Sequence, residues 1–156
     1  MRHSPALDWP ALAVVGLGGA VGTSLRAGLA ELIGPSPSGL PWATATANLV
    51  GALLLGLILG RFAAPGRQAG RHRLIRLGAG TGLMGALTTY STMISEALRL
   101  IDQGRALLGA VYLLGSLVAG LALAGLGLRL SRLLGHPRHA GPTDGARAGA
   151  AGPETA

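Results

Sequence analysis

The sequence has no cysteine and no lysine, and it has a single phenylalanine among its 156 residues. Without cysteine, the chain forms no disulfide, no thiolate metal site and no iron–sulfur cluster. Its four histidines do not replace them, because all lie outside the apolar segments, at His3, His72, His136 and His139. The sequence also holds no phosphate-cradling loop, no cofactor motif and no pair of nucleophile and base. It therefore predicts a protein that is not an enzyme.

Charge is scarce as well. Charged residues make up 12% of the chain and hydrophobic residues 49%, and the mean hydropathy is +0.50, which together indicate a membrane protein. A membrane-spanning helix needs about 20 predominantly apolar residues, and four segments provide them: Ala11–Ile33, Trp42–Gly60, Leu74–Leu100 and Leu107–Leu128. We predict an all-α membrane protein with a short N-terminal segment (1–10), a four-helix transmembrane domain in the lipid bilayer (11–128) and a disordered cytoplasmic tail (129–156).

All 13 basic residues are arginines, and they follow the ends of the apolar segments. This distribution argues against nucleic acid as a partner and favours membrane topology as its cause. With the N-terminus inside, ten arginines lie on the inner side: Arg2, Arg61, Arg67, Arg71, Arg73, Arg76, Arg129, Arg132, Arg138 and Arg147. The positive-inside rule then predicts a multi-pass protein with both termini in the cytoplasm.

The third apolar segment contains the sequence GTGLMGALTTYSTM, at residues 80–93. Two closely spaced glycines, Gly82 and Gly85, followed by four hydroxyl residues predict a locally unwound helix. An unpaired peptide group in hydrocarbon costs several kcal/mol, so such a break needs protein, water or an ion to satisfy it. The motif therefore indicates an ion site, although small residues of the same kind also occur where membrane helices pack closely.

Small and charged residues also mark the first span. Gly18 and Gly22 form a pair at the spacing where another backbone can approach closely. Arg26 follows one turn later, and two roles fit it. It is either a structural or electropositive anchor near the entrance of an anion, or an arginine that snorkels to the outer interface beside Glu31.

Polar stripes run along the second and fourth spans. In the second span, one helical face carries Thr44, Asn48 and Gly51. In the fourth span, successive four-residue steps place on one stripe Tyr112, Ser116 and Gly120. The amide of Asn48 can join helices or offer donors to a passing anion, and the hydroxyls leave the same two alternatives open.

Taken together, these motifs resemble the small bacterial fluoride channels of the Fluc or CrcB family. The resemblance covers residues 11–128 in the family's order, with GGAVGTSLR in the first span, TATANLVG in the second, GLMGALTTYSTM in the third and YLLGS in the fourth. It implies an antiparallel dimer of four-helix subunits in the bacterial inner membrane, with a structural sodium ion at the dimer centre. The implied function is passive fluoride export, which reduces the toxicity of fluoride.

Carried over to this chain, the resemblance implies that backbone carbonyls of Gly85 and Thr88 from both subunits bind a sodium ion that is not transported. The fluoride pathway would use Thr44, Asn48, Tyr90, Thr92, Met93, Tyr112 and Ser116. Tyr90 and Met93 stand where the family pattern has phenylalanines, and Ala86 stands where it has a glycine. Because the aromatic pair is altered and the arginine bias favours one orientation, we hypothesise a heterodimer with an oppositely oriented paralogue.

Two other functions compete with the channel. A small four-span proton-coupled multidrug exporter would need a carboxylate embedded in the membrane. The candidate carboxylates all lie at or beyond the estimated span ends, at Asp8, Glu31, Glu96 and Asp102. The other alternative is a non-conducting assembly subunit whose glycine-rich faces only pack helices, and a measurement of ion flux separates it from a channel.

Overall fold

A computed structural model describes residues 7–62 and 69–134 of the chain. These residues form only helices and connecting turns, with no strand in either described range. The helices are α1 (Trp9–Ile33), α2 (Trp42–Phe62), α3 (Gly70–Ile75), a π-helical segment (Arg76–Met84), α4 (Gly85–Leu87), α5 (Tyr90–Asp102) and α6 (Ala106–Leu134). The predicted all-α class is confirmed for this part of the chain.

Three of these helices, α1, α2 and α6, are long and apolar enough to cross a membrane. Their positions agree with the first, second and fourth predicted spans. The main difference is at the end of α6, which continues to Leu134 instead of ending at Leu128. Arg129 and Arg132 therefore lie on a helix. The remaining residues of the predicted tail, His136 and His139 among them, lie outside the described residues, as do Arg2, His3 and Arg67.

The third predicted span is not one helix. It consists of the short α3, the π-helical segment, the single turn of α4 and then α5, which begins after two extended residues. The predicted break in this span is confirmed, but it lies at Thr88 and Thr89 rather than at the glycines. The segment before the break also contains a π-helix, which is rare in proteins and frequent at functional sites.

Close backbone contacts at glycines hold the helices together. α1 packs along the π-helical segment, and a Cβ added to Gly18 would lie 2.2 Å from the carbonyl oxygen of Gly78. A Cβ added to Gly22 would lie 2.3 Å from the carbonyl oxygen of Leu83. The predicted close approach at the first-span pair is thereby confirmed. It allows the two backbones to touch without intervening side chains, as small residues do in membrane bundles.

Polar contacts at the helix ends show which connections share a side. At one end, Asp8 caps α1 by accepting a hydrogen bond from the amide of Ala11 at 3.0 Å, and its carboxylate pairs with Arg73 of α3. At the opposite end, the Arg105 guanidinium donates to the carbonyl of Ser38 at 2.6 Å. The α1–α2 and α5–α6 connections therefore lie together, on the side away from Asp8.

Candidate functional site

The break in the third segment exposes backbone groups inside an apolar protein. Thr88 and Thr89 are both extended, with φ/ψ of −81°/151° and −148°/123°. A helix that ends leaves its last carbonyls without intrahelical partners. One of these, the carbonyl of Met84, accepts from both the amide and the hydroxyl of Thr88, at 3.0 and 2.9 Å. The carbonyls that follow, beginning with Gly85, lose their ordinary helical partners because the chain turns away.

Asn48 of α2 holds the extended residues in place. Its Oδ1 accepts a hydrogen bond from the amide of Thr89 at 2.7 Å, and its Nδ2 donates to the carbonyl of the same residue at 3.0 Å. The side-chain amide thus pairs with one backbone residue as a neighbouring strand would. The sequence singled out Asn48, but it did not reveal that the partner of this amide is the broken backbone.

A cleft of about 310 Å³ opens beside this pair. It brings together four of the seven predicted pathway residues: Asn48, Tyr90, Met93 and Ser116. Its wall also includes the extended Thr88 and Thr89, and Gly120 of α6. Tyr90 is 70% exposed, whereas Met93 is 5% exposed, so the cleft runs from an open rim to a buried floor.

The other predicted pathway residues lie outside the polar lining of this cleft. Thr92 stabilises the start of α5, since its hydroxyl is 2.9 Å from that of Thr89, which also accepts from its amide at 3.3 Å. Thr44 and Tyr112 are both buried and share a different partner, the carboxylate of Glu96. The Thr44 hydroxyl donates to Glu96 Oε1 at 2.8 Å and the Tyr112 hydroxyl to Oε2 at 2.9 Å.

Glu96 is the functional residue that the sequence analysis missed, and its position corrects the expectation that every carboxylate lies at or beyond a span end. It is half-buried and linked to two other helices. A signal was present in the sequence, because Glu96 follows the buried Met93 by three residues and therefore shares its face of α5. The absence of a membrane-embedded carboxylate can no longer be used against the exporter alternative.

The residues expected to bind sodium, Gly85 and Thr88, line a second cavity of about 310 Å³. Gly85 is exposed, and a Cβ added to it would meet nothing within 4 Å. Freed backbone carbonyls are suitable ligands for a hard cation such as Na⁺. The same cavity is also lined by Arg76, whose buried Nε has no hydrogen-bond partner. Arg26 is half-buried on α1 and belongs to none of these polar groups in the described ranges.

Comparison with known proteins agrees with this geometry. The sequence pattern of the family described as "CrcB-like protein, Camphor Resistance (CrcB)" matches residues 13–128. The chain belongs to the CrcB family. The resemblance stated from the four span motifs is thereby confirmed. The matched range contains the break, the Asn48 clamp, the cleft and the Glu96 cluster.

Three relatives within the CrcB family have the same printed function. The Fluoride-specific ion channel FluC 1 of Cutibacterium acnes is 41% identical over 111 residues, which cover 71% of this chain and 78% of the relative. The Fluoride-specific ion channel FluC of Thermus thermophilus is 40% identical over 122 residues, covering 78% and 94%. The Fluoride-specific ion channel FluC 1 of Mycobacterium bovis is 39% identical over 128 residues, covering 82% and 95%. These names describe ion channels, not enzymes.

Proposed function

We propose that this CrcB chain is a subunit of a fluoride-selective channel that lets fluoride leave the cytoplasm passively and thereby reduces its toxicity. The observation that carries the proposal is the helix break at Thr88 and Thr89, clamped by Asn48 beside an open cleft. Broken helices at membrane depth occur where the backbone lines a cavity or an ion site. The relatives named as fluoride-specific channels give the ion.

The chemistry of the cleft suits a small, strongly hydrated anion. An anion that enters must exchange water for other donors, and the cleft offers the Asn48 amide and the Ser116 hydroxyl. The ring edge of Tyr90 carries positive quadrupole charge and can face an anion at the open rim. Glu96 acts differently in this proposal. It accepts from the hydroxyls of Thr44 and Tyr112 and so positions them beyond the cleft floor.

Export requires no coupled ion. A membrane potential that is negative inside provides about 2.3 kcal/mol per elementary charge per 100 mV, and it drives a permeant anion outward. A proton-coupled exporter remains chemically conceivable because Glu96 is half-buried. Membership in the CrcB family, rather than the lack of a carboxylate, favours the channel over that alternative.

Assembly and orientation are part of the same proposal. We propose an antiparallel dimer in the bacterial inner membrane, in which carbonyls of Gly85 and Thr88 from both subunits hold a structural sodium ion. Single-chain carbonyls are too few to surround a cation, which supports a shared site. The end of the subunit that carries Arg61, Arg73 and Arg129 would face the cytoplasm, together with both termini. The altered pair at Tyr90 and Met93 supports a heterodimer with an opposed paralogue that supplies phenylalanines.

Reconstituted liposomes test the function directly. Fluoride efflux is recorded with a fluoride electrode against a chloride control, with and without sodium, for the chain alone and for the chain co-expressed with an opposed paralogue. We expect selective, sodium-dependent efflux in at least one preparation, and its loss in Asn48→Ala. Ser24→Ala is the matched control, because that exposed hydroxyl bonds only to the Ala20 carbonyl of its own helix.

Each result has a defined meaning. Robust flux from the chain alone would rule out an obligate heterodimer, and flux that ignores sodium would rule out the structural ion. Silence in both preparations would contradict the channel and favour the non-conducting assembly subunit.

A further inference from the structure

Every polar group of the Asn48 side chain already has a partner in the protein. Its Oδ1 and one amide N–H pair with the backbone of Thr89, at 2.7 and 3.0 Å. A side-chain amide has two N–H donors and one carbonyl oxygen. The remaining donor points to the sulfur of Met93, with 3.8 Å between Nδ2 and Sδ. No donor of this amide is therefore open to an anion in the described arrangement.

The three contacts differ greatly in strength. The two backbone contacts are short and satisfy groups that would otherwise be orphaned by the helix break. A thioether sulfur is only a weak acceptor, and Met93 has a flexible, unbranched side chain with three rotatable bonds. An anion that competes for Asn48 therefore displaces the sulfur and leaves the backbone pair intact.

Met93 also has space into which it can move. It lines the cleft of about 310 Å³ together with Asn48, while the rest of its side chain packs in the buried cluster with Ala45, Ala97 and Leu100. A rotation about the terminal side-chain bonds moves the sulfur away from Nδ2 and keeps the stem in its packing. The sulfur thus sits at the one position in the Asn48 shell that is both weakly held and next to open volume.

We propose that the Met93 thioether is a gate, which occupies the donor position that Asn48 offers and rotates away when a small hard anion binds there. This inference rests on the proposed function, because it takes fluoride as the anion. It assigns to Met93 a role specific to this chain, since a phenylalanine at the same position has no sulfur to accept from the amide. The gate lowers the apparent affinity of the site by the fraction of chains in which it is closed.

The first test removes the sulfur and keeps the apolar volume. Met93→Leu is compared with Met84→Leu in the liposome efflux assay, and Met84 is the matched control because its side chain is equally buried, at 3% exposure, but lies in a different cluster. We expect Met93→Leu to raise fluoride efflux at low fluoride by about three- to tenfold, as the loss of one competing neutral contact predicts. Efflux at or below the wild-type rate would overturn the gate.

The second test observes the sulfur in the unsubstituted protein and needs no flux. Methionine is labelled with ¹³C at its methyl group, and the purified chain is titrated with sodium fluoride, with sodium chloride in a parallel sample. The methyl ¹³C shift depends on the terminal side-chain torsion, so we expect the Met93 resonance to move with fluoride and the Met84 resonance to stay. A Met93 resonance that ignores fluoride would overturn the gate, even if the channel conducts.

The two tests also separate this proposal from the function on which it rests. If the liposomes are silent but Met93 responds to fluoride and not to chloride, the gate stands and the proposed conduction fails. If fluoride flows while Met93 does not respond and Met93→Leu has no effect, the conduction stands and the gate fails.

Discussion

Different interactions hold the α2–α6 pair and the broken third segment of the same subunit. In the pair, Gly56 and Gly127 let the two backbones touch, since a Cβ on Gly56 would lie 2.2 Å from the Ala124 carbonyl oxygen. In the broken segment, contact is made by polar side chains, above all by Asn48 against Thr89. Apolar surface between helices gives little driving force in lipid, so close packing builds the frame and hydrogen bonds build the site.

The contrast has a functional meaning. A backbone-to-backbone contact has only one arrangement, because any added atom collides with a carbonyl. A hydrogen-bonded side chain can exchange one partner for another of similar strength. The frame of this protein is therefore rigid where glycines meet, and the neighbourhood of the break is the region that can respond to an ion.

The largest effect is expected from removing the clamp on the break. Asn48→Leu leaves the amide and carbonyl of Thr89 without partners, and each unpaired buried group costs about 1–3 kcal/mol. Since about 1.4 kcal/mol is a tenfold change in an equilibrium, hydrogen exchange at the Thr89 amide should speed up about 100-fold or more. Amides in the middle of α6 serve as the internal control. Unchanged exchange at Thr89 would mean that the clamp does not hold the break.

A methyl group between α2 and α6 should have the next largest effect. In Gly127→Ala the added Cβ would lie 2.3 Å from the carbonyl oxygen of Leu53, which forces the helices apart. Overpacking of this kind costs about 1–3 kcal/mol of unfolding free energy. Gly125→Ala is the control, because its Cβ would meet nothing within 4 Å. Denaturant unfolding in detergent compares the two, and equal stabilities would contradict the rigid-frame interpretation.

Loss of the Glu96 carboxylate should have a smaller effect, on flux rather than on stability. Glu96→Ala leaves the hydroxyls of Thr44 and Tyr112 without their acceptor, whereas Glu96→Gln keeps the shape and one acceptor oxygen. We expect fluoride efflux to fall about tenfold in the alanine variant, equivalent to one unmet hydrogen bond, and less in the glutamine variant. Glu31→Ala, an exposed carboxylate on α1, should conduct like the wild type. Normal efflux from Glu96→Ala would remove Glu96 from the mechanism.

The smallest effect is expected at the exposed pair between Asp8 and Arg73, outside the spans. The hydrogen bond from Arg73, followed by that from the amide of Ala11, holds the pKa of the Asp8 carboxyl below its ordinary value of 3.8. A lowered pKa in the folded protein stabilises it above the ordinary value, and this contribution is lost as the pH falls through the lower folded value. Asp8→Asn should therefore lower Tm slightly at pH 7 and leave it unchanged at pH 2. A difference that persists at pH 2 would mean that the ion pair is not its cause.

The sequence predicted the frame better than the site, for physical reasons that particular residues make clear. Gly18 and Gly22 were readable because small residues at helical spacing have few other uses in a span. The break was readable in kind but not in position, because glycine spacing shows where a helix is weak and only the Asn48 partner fixes where it opens. Glu96 was missed because hydropathy places a charge along a segment but cannot show the hydroxyls of two other helices that receive it.

The π-helical segment between Arg76 and Met84 has a consequence for how this chain can change over evolution. A π-helix corresponds to an α-helix that has accepted an additional residue, and each residue of an α-helix turns the chain by about 100°. Deleting one residue there would restore an α-helix and rotate everything downstream, so that Thr88 would no longer point its backbone at Asn48. Insertions and deletions should therefore be tolerated in the loops but not in this segment, whose length sets the angular phase of the break.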